Sequence, residues 1–108
     1  MIRTFLHLDL KPGRRDDVID WYKETGALER AVREAGCLST EIYPDPENDD
    51  RLLVTALWNS AADYDGWVSN PWRQSSTDGI NEFLAEGFTS ESKGSIVESL
   101  HHASAQVG

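Results

Sequence analysis

An α+β domain with the element order β-α-β-β-α-β is predicted by three features of the 108-residue sequence. Residues 2–10 alternate apolar and polar side chains, the period of a strand. Residues from about 14 to 35 repeat apolar side chains at spacings of three and four, the period of a helix. In the middle, two strand-like runs flank one short polar loop, as in an antiparallel hairpin.

Taken in order, the first strand sets Leu6, Leu8 and Leu10 on one face and Phe5, His7 and Asp9 on the other. Lys11-Pro12-Gly13 ends it, because Pro has no ladder donor and Gly admits the turn. The first helix carries Val18, Tyr22, Thr25, Leu28, Val32 and Ala35 as one stripe, with Gly26 weakening its middle and Gly36 stopping it. Cys37 to Tyr43 alternates again, Leu38, Thr40 and Ile42 facing one way and Ser39, Glu41 and Tyr43 the other. Residues 44–50 read as a polar loop, and Leu52 to Trp58, apolar almost throughout, suits a central strand covered on both faces.

Ser60-Ala61-Ala62-Asp63 is a capping box, so a helix starts there and turns Tyr64, Trp67 and Val68 inward. Asn70-Pro71 interrupts it and caps a new segment, since the residue before Pro avoids the helical region. A further helical stretch presents Ile80, Phe83 and Leu84 before Gly87. Ser95 to His101 alternates as the last strand, with Ile96 and Leu100 together, and residues 102–108 are expected to fray. The order is ferredoxin-like: a four-stranded antiparallel sheet with both helices on one face. The other face, with Phe5, His7, Tyr43 and Val97, suits a subunit interface, so a homodimer is expected.

At this length the chain is one domain, its core within about residues 2 to 100. Hydrophobic residues at 39% and charged ones at 27% are too apolar a mixture for disorder. No apolar run approaches the roughly 20 residues of a membrane span. The opening MIRTFLHLDLKPG lacks the basic region, apolar stretch and cleavage site of a signal peptide. A cytoplasmic location is therefore expected, in keeping with a lone Cys37 that cannot close an internal disulfide. Nineteen acidic against ten basic side chains give a formal charge of −9, the reverse of what phosphate binding needs. Neither nucleic acid nor an anionic membrane is an expected partner.

The first strand ending in Lys11-Pro12-Gly13, the Gly36-Cys37-Leu38 lead-in to the second, and Leu57-Trp58-Asn59-Ser60 running into Tyr64-Asp65-Gly66-Trp67-Val68-Ser69-Asn70-Pro71 resemble the antibiotic biosynthesis monooxygenase (ABM) domain family. The resemblance covers roughly residues 2 to 100. It implies a dimeric α/β barrel whose pocket lies between sheet and helices in each subunit. It also implies cofactor-free oxygenation of anthrones and related phenolic aromatics of polyketide origin, haem degradation or, as in several members of the family, no clear catalytic role. The haem-degrading branch resembles this chain at Trp67, but follows that Trp ten residues later with a His, where Thr77 stands here. Its Asn on the first strand falls on Leu6, so haem degradation is not expected. The cofactor-free branch relies on an Asn and a Trp near the start of the second helix. Trp67 matches the Trp; Asn59 is the nearest Asn, eight residues earlier, and Asp63 occupies the place one turn before Trp67.

Residue chemistry narrows the candidates. Trp58, Trp67 and Trp72 with Tyr64 concentrate aromatic surface in one segment, which serves either core packing or the stacking of a flat polycyclic ligand. Arg73 is a solvated cation if it points outward, and a stabiliser of phenolate or enolate if it points inward. Asn59 either caps the strand end or bonds a substrate carbonyl, and Tyr22 and Tyr64 can donate to the same oxygen. Catalytic roles are expected for Trp67, Asn59 and Arg73, and substrate contacts for Tyr22, Tyr64, Trp58 and Trp72. His7 is a residue type suited to general-base work but alternates onto the helix-free face, which makes it structural. Cys37 has no basic neighbour and reads as an inert buried thiol. His101 and His102 would point to opposite faces of a strand, and neither HExxH nor paired CxxC occurs, so no metal or other cofactor is expected. The leading function is a cofactor-independent monooxygenase of an aromatic, polyketide-type substrate, an anthrone or phenol. A cyclase or isomerase on a similar substrate, and a small-ligand-binding accessory protein, are the alternatives.

Overall fold

A computed structural model describes residues 1–76, 78–85 and 95–103. Strands β1 (Ile2–Asp9), β2 (Cys37–Asp45), β3 (Asn48–Trp58) and β4 (Ser95–Glu98) form one antiparallel sheet in the order β2-β3-β1-β4. Helices α1 (Arg15–Thr25) and α2 (Ala27–Glu34) connect β1 to β2. Helices α3 (Ala61–Val68), α4 (Pro71–Ser76) and α5 (Asp78–Asn81) follow β3. This is the predicted ferredoxin-like α+β arrangement. Among the described residues no helix is long and apolar enough to cross a membrane.

The alternation of β1 decides where the core lies. Leu8 pairs with Leu52 across the ladder, and both are buried with Val18 of α1, Ile80 of α5, Leu10 and Leu84. Each such side chain contributes about 1.5–3 kcal/mol by leaving water. A second cluster gathers Ala31, Cys37, Ala56, Trp58 and Tyr64 under α2 and α3. Burial raises the Cys37 thiol pKa, and its Sγ donates to the Ser39 carbonyl at 3.3 Å. On the opposite sheet face, Phe5, Tyr43 and Val97 are exposed, as is His7. Arg3 Nη1 donates there to Thr55 Oγ1 at 3.2 Å, and Thr55 and Leu57 are covered, so β3 is closed on both faces.

Four sequence expectations need correction. The helix predicted over 14–35 breaks at Gly26, whose φ of 65° is left-handed and whose N–H donates to the Tyr22 carbonyl at 3.1 Å. The break shifts the helical phase: Ala27 and Ala31 turn inward and Val32, placed on the inner stripe, is 46% exposed. The polar loop over 44–50 shrinks to Pro46-Glu47, because β2 runs through Asp45 and β3 begins at Asn48. Asp45 Oδ1 accepts from the Glu47 N–H at 2.8 Å and Asn48 Oδ1 from the Asp50 N–H at 2.9 Å, which lets polar residues hold the hairpin. Leu38 faces out because the register slips between Cys37 and Ser39, so the bulge leaves it off the Thr40–Ile42 side.

The last strand stops at Glu98, leaving Leu100 outside the sheet at 93% exposure and His101 and His102 beyond it. Ile96, expected beside Leu100 on one face, pairs with Thr4. Other expectations hold: Ser60 Oγ accepts from the Asp63 N–H at 3.3 Å, and Asn70 Oδ1 accepts from the Trp72 N–H at 2.8 Å. Ile80 and Leu84 are buried, with Leu84 bridged to Leu10 after α5 has ended. The Gly87 stop and the expected fraying of 104–108 lie outside the described residues.

Gly26→Ala should cost about 1–2 kcal/mol, the penalty of a Cβ in left-handed backbone. An added Cβ meets only Glu29 Oε2 at 3.7 Å, so crowding adds little. Urea unfolding followed by circular dichroism measures the loss; an unchanged midpoint would mean that the joint relaxes.

Candidate functional site

The α1–α2 break and the α3–α4 turn leave a cavity of about 80 Å³ between the helices and the inner sheet face. A single water needs only about 10–15 Å³, so the space is several times what one water fills. The sheet floor is Thr4, Leu6 and Leu8 of β1 with Val54, Ala56 and Trp58 of β3. Alternation puts these on one face, and β2 adds Thr40. Helix α1 supplies Trp21 and Tyr22, α2 supplies Leu28 with the two small walls Ala27 and Ala31, and α3 supplies Tyr64 and Trp67 one turn apart. Trp72, Arg73 and Ile80 complete the enclosure from α4 and α5. All four tryptophans of the chain thus line one space.

These aromatic walls are braced. Trp58 Nε1 donates to Thr4 Oγ1 at 3.1 Å inside the core, and its ring lies 5.3 Å from that of Tyr64 at 56°. Trp67 and Trp72 stack with centroids 6.1 Å apart and planes at 26°. The Arg30 guanidinium of α2 sits 4.4 Å over the Trp72 ring while Nη1 holds Glu34 at 3.2 Å, a cation–π strap from α2 to α4. Trp21 meets Tyr22 edge-on at 5.1 Å, and a Cβ on Gly79 would stand 2.9 Å from Trp21 Nε1. Glycine at that position therefore leaves room for the indole.

Polar groups are few. Thr40 Oγ1 is committed to the Thr55 carbonyl at 3.0 Å. Arg73 Nη1 donates to the Val68 carbonyl at 3.4 Å, across the Asn70-Pro71 turn. Tyr22 is half-buried as a residue, but burial pushes its phenol up to about 12, and nearby Arg73 opposes that rise. The hydroxyl is consequently a neutral donor at physiological pH. Its contribution to stability is complete below the ordinary tyrosine value near 10 and is lost as pH rises through about 12, because the unfolded chain ionises first. An absorbance titration near 295 nm should show a phenol that ionises near pH 12, and Tyr22→Phe should remove that step. A step near pH 12 that survives Tyr22→Phe would place another tyrosine there.

Of the residues expected from sequence, Trp67, Arg73, Tyr22, Tyr64, Trp58 and Trp72 all line this cavity. Asn59 does not: it is exposed just past the end of β3 and is absent from the lining. Leu6, at the position compared with the haem branch, is part of the floor, whereas Thr77 lies outside the described residues. Sequence reading missed Trp21, Thr4 and Arg30. Thr4 had a signal, a polar residue in phase with Leu6 and Leu8 of β1, whereas Trp21 and Arg30 acquire their roles only from helix placement.

The family model for antibiotic biosynthesis monooxygenase matches residues 1–75. Protein SchA of Streptomyces halstedii is 28% identical over 69 residues, a stretch that is 64% of this chain and 18% of that longer protein. Among solved structures, a candidate antibiotic biosynthesis monooxygenase from Nitrosomonas europaea superposes with a TM-score of 0.74 at 17% identity, over 94% of this chain and 100% of the other. Rv0793 of Mycobacterium tuberculosis superposes with a TM-score of 0.73 at 16% identity, over 95% and 98%. At such identities the structural likeness is one of fold, and it spans the helices and strands that build the cavity. With strand order, helix placement and the match over residues 1–75 in agreement, the chain belongs to the antibiotic biosynthesis monooxygenase family.

Proposed function

We propose that the chain is a cofactor-independent monooxygenase of an aromatic, polyketide-type substrate such as an anthrone or phenol. The observation that carries this reading is a cavity lined by every tryptophan, two tyrosines and one guanidinium. Flat rings stack on such walls, while Arg73 and the Tyr22 hydroxyl offer positive charge and a donor where an oxyanion develops. An anthrone carries an acidic CH₂ flanked by two aromatic rings. Loss of one proton gives a carbanion conjugated with the carbonyl, and Arg73 stabilises the resulting phenolate. The carbanion transfers electrons to dioxygen and forms a C–O bond; the hydroperoxide then loses water to leave a quinone. Anthrone and dioxygen thus give quinone and water, with the substrate supplying all the electrons. Trp67 and Trp72 orient the ring system, a contribution of position more than of charge.

The test is dioxygen uptake with dithranol. One dioxygen consumed per quinone formed, at a rate that depends on protein, is the expected result. Turnover without uptake would replace the reading by a cyclase or isomerase, and saturable binding without turnover by a ligand carrier. We also propose a homodimer joined through the sheet face that carries Phe5, Tyr43 and Val97, since those side chains otherwise stand in water. Light scattering at micromolar concentration should give twice the chain mass, and Phe5→Glu should halve it. A monomer in the unaltered protein removes this proposal.

A further inference from the structure

We propose that Thr4 is a specificity-determining residue, through which the sheet floor of the cavity takes a hydrogen-bond-accepting oxygen of the guest. The inference rests on the aromatic-substrate reading above and deepens it. Thr4 is 4% exposed and lines the cavity, so its hydroxyl is a buried polar group beside a ligand space. Its Oγ1 accepts from the Trp58 indole N–H at 3.1 Å, and among the described residues no side chain or carbonyl accepts its proton. A threonine hydroxyl has two lone pairs and one proton, so the Trp58 bond satisfies the oxygen and leaves the proton to be given. Buried donors are matched as a rule, which points to an acceptor on the guest.

The rest of the floor has no proton to offer. Leu6, Leu8, Val54 and Ala56 are apolar, the Thr40 proton is committed to the Thr55 carbonyl at 3.0 Å, and the Trp58 N–H is committed to Thr4. Register sets Thr4, Ala56 and Thr40 abreast on β1, β3 and β2, with a single methyl between the two hydroxyls. The edge of a flat ring can therefore approach Thr4 without meeting a long side chain. The indole bond also occupies one lone pair of Oγ1, which restricts where the proton points and polarises the O–H as a donor.

The chemistry of the guest follows. A flat ring system whose reacting carbonyl is held by the helices turns its opposite edge to the sheet. In the proposed reaction the carbon on that edge is the one that gains oxygen. Thr4 thus meets the new carbonyl of the quinone, whereas the CH₂ of the anthrone offers it no acceptor. A quinone should accordingly bind more tightly than a ring system of the same shape without the second oxygen.

Anthraquinone and thioxanthone make a suitable probe pair. Each has three flat rings and one carbonyl; opposite that carbonyl stands a second C=O in the first and a sulfur, a weak acceptor, in the other. Neither has a CH₂ for the proposed reaction to oxidise. Since every tryptophan lines the cavity, quenching of intrinsic fluorescence reports binding directly. In the unaltered protein anthraquinone should bind about three- to tenfold more tightly, the scale of one neutral hydrogen bond. The ratio of the two affinities within each variant cancels any general loss of packing. Thr4→Val should bring that ratio to about twofold or less, and Thr4→Ser, which keeps the hydroxyl, should retain it. Equal affinities in the unaltered protein, a ratio that Thr4→Val leaves unchanged, or no quenching by either probe would overturn the inference. Dioxygen uptake with dithranol by the unaltered protein tests the oxygenase reading alone, so the two failures are told apart.

Discussion

Trp58→Ala should destabilise the protein by about 3–5 kcal/mol, the usual range for removing a large buried aromatic. Trp58 is 1% exposed, closes the end of β3 against the Tyr64 ring, and donates its indole N–H to Thr4. Alanine removes the ring, enlarges a space that already holds about 80 Å³, and strands the Thr4 hydroxyl in the core. A domain of this size has about 5–15 kcal/mol in all, so the variant should melt many degrees lower or fail to accumulate. The hydrogen bond can be separated from the packing. Trp58→Phe and Thr4→Val should each leave one partner unsatisfied at about 1–3 kcal/mol, and the double variant should lose less than the sum. Strict additivity in urea unfolding would show that the two groups do not interact. A loss under 1 kcal/mol for alanine would remove Trp58 from the core.

Arg73→Ala should have the opposite profile. No residue of α4 is buried, and substitutions at such positions change stability by about 0.5 kcal/mol or less. Turnover of dithranol, in contrast, should fall about 10²–10³-fold, as when one oxyanion donor is deleted. An interaction that acts on the developing phenolate, as proposed above, predicts a fall in kcat as well as in kcat/KM. Arg73→Lys should recover part of it, since charge is retained and the fork is lost. Wild-type turnover in Arg73→Ala would detach the guanidinium from the chemistry. A parallel loss of melting temperature would mean that its bond to the Val68 carbonyl matters mainly for the α3–α4 turn.

The order of elements was legible because period and punctuation agree: alternation in β1, a capping box at Ser60 and the Asn70-Pro71 break each have a local cause. The errors fall where distant contacts outweigh local signals. Pro and Asp residues read as loop, but backbone pairing with β3 carries β2 through Pro44 and Asp45. Gly26 signalled weakness, yet only its left-handed φ shows that the helix restarts in another phase and exposes Val32. The aromatic side of the site was visible as composition, since Trp58, Tyr64, Trp67 and Trp72 crowd one segment. Trp21 joins them by crossing from α1, and Arg30 reaches Trp72 from α2, relations no local pattern encodes. Asn59, picked as the Asn nearest Trp67 in sequence, stands exposed past the end of β3 and outside the cavity lining, because distance along the chain does not fix which way a residue beyond the strand end faces.

Ala27, Ala31 and Ala56 give the cavity walls one methyl thick. Guest size is therefore a quantity that selection can adjust one carbon at a time, without disturbing the groups proposed for chemistry. Two of those alanines lie on α2, which Gly26 uncouples from α1, so that one short helix acts as a size filter open to independent change. A descendant bearing valine or leucine there would exclude bulky rings yet keep the same cation and the same aromatic bracing. Diversity of guests within such a lineage would then arise from the roof before it arose from the reacting groups.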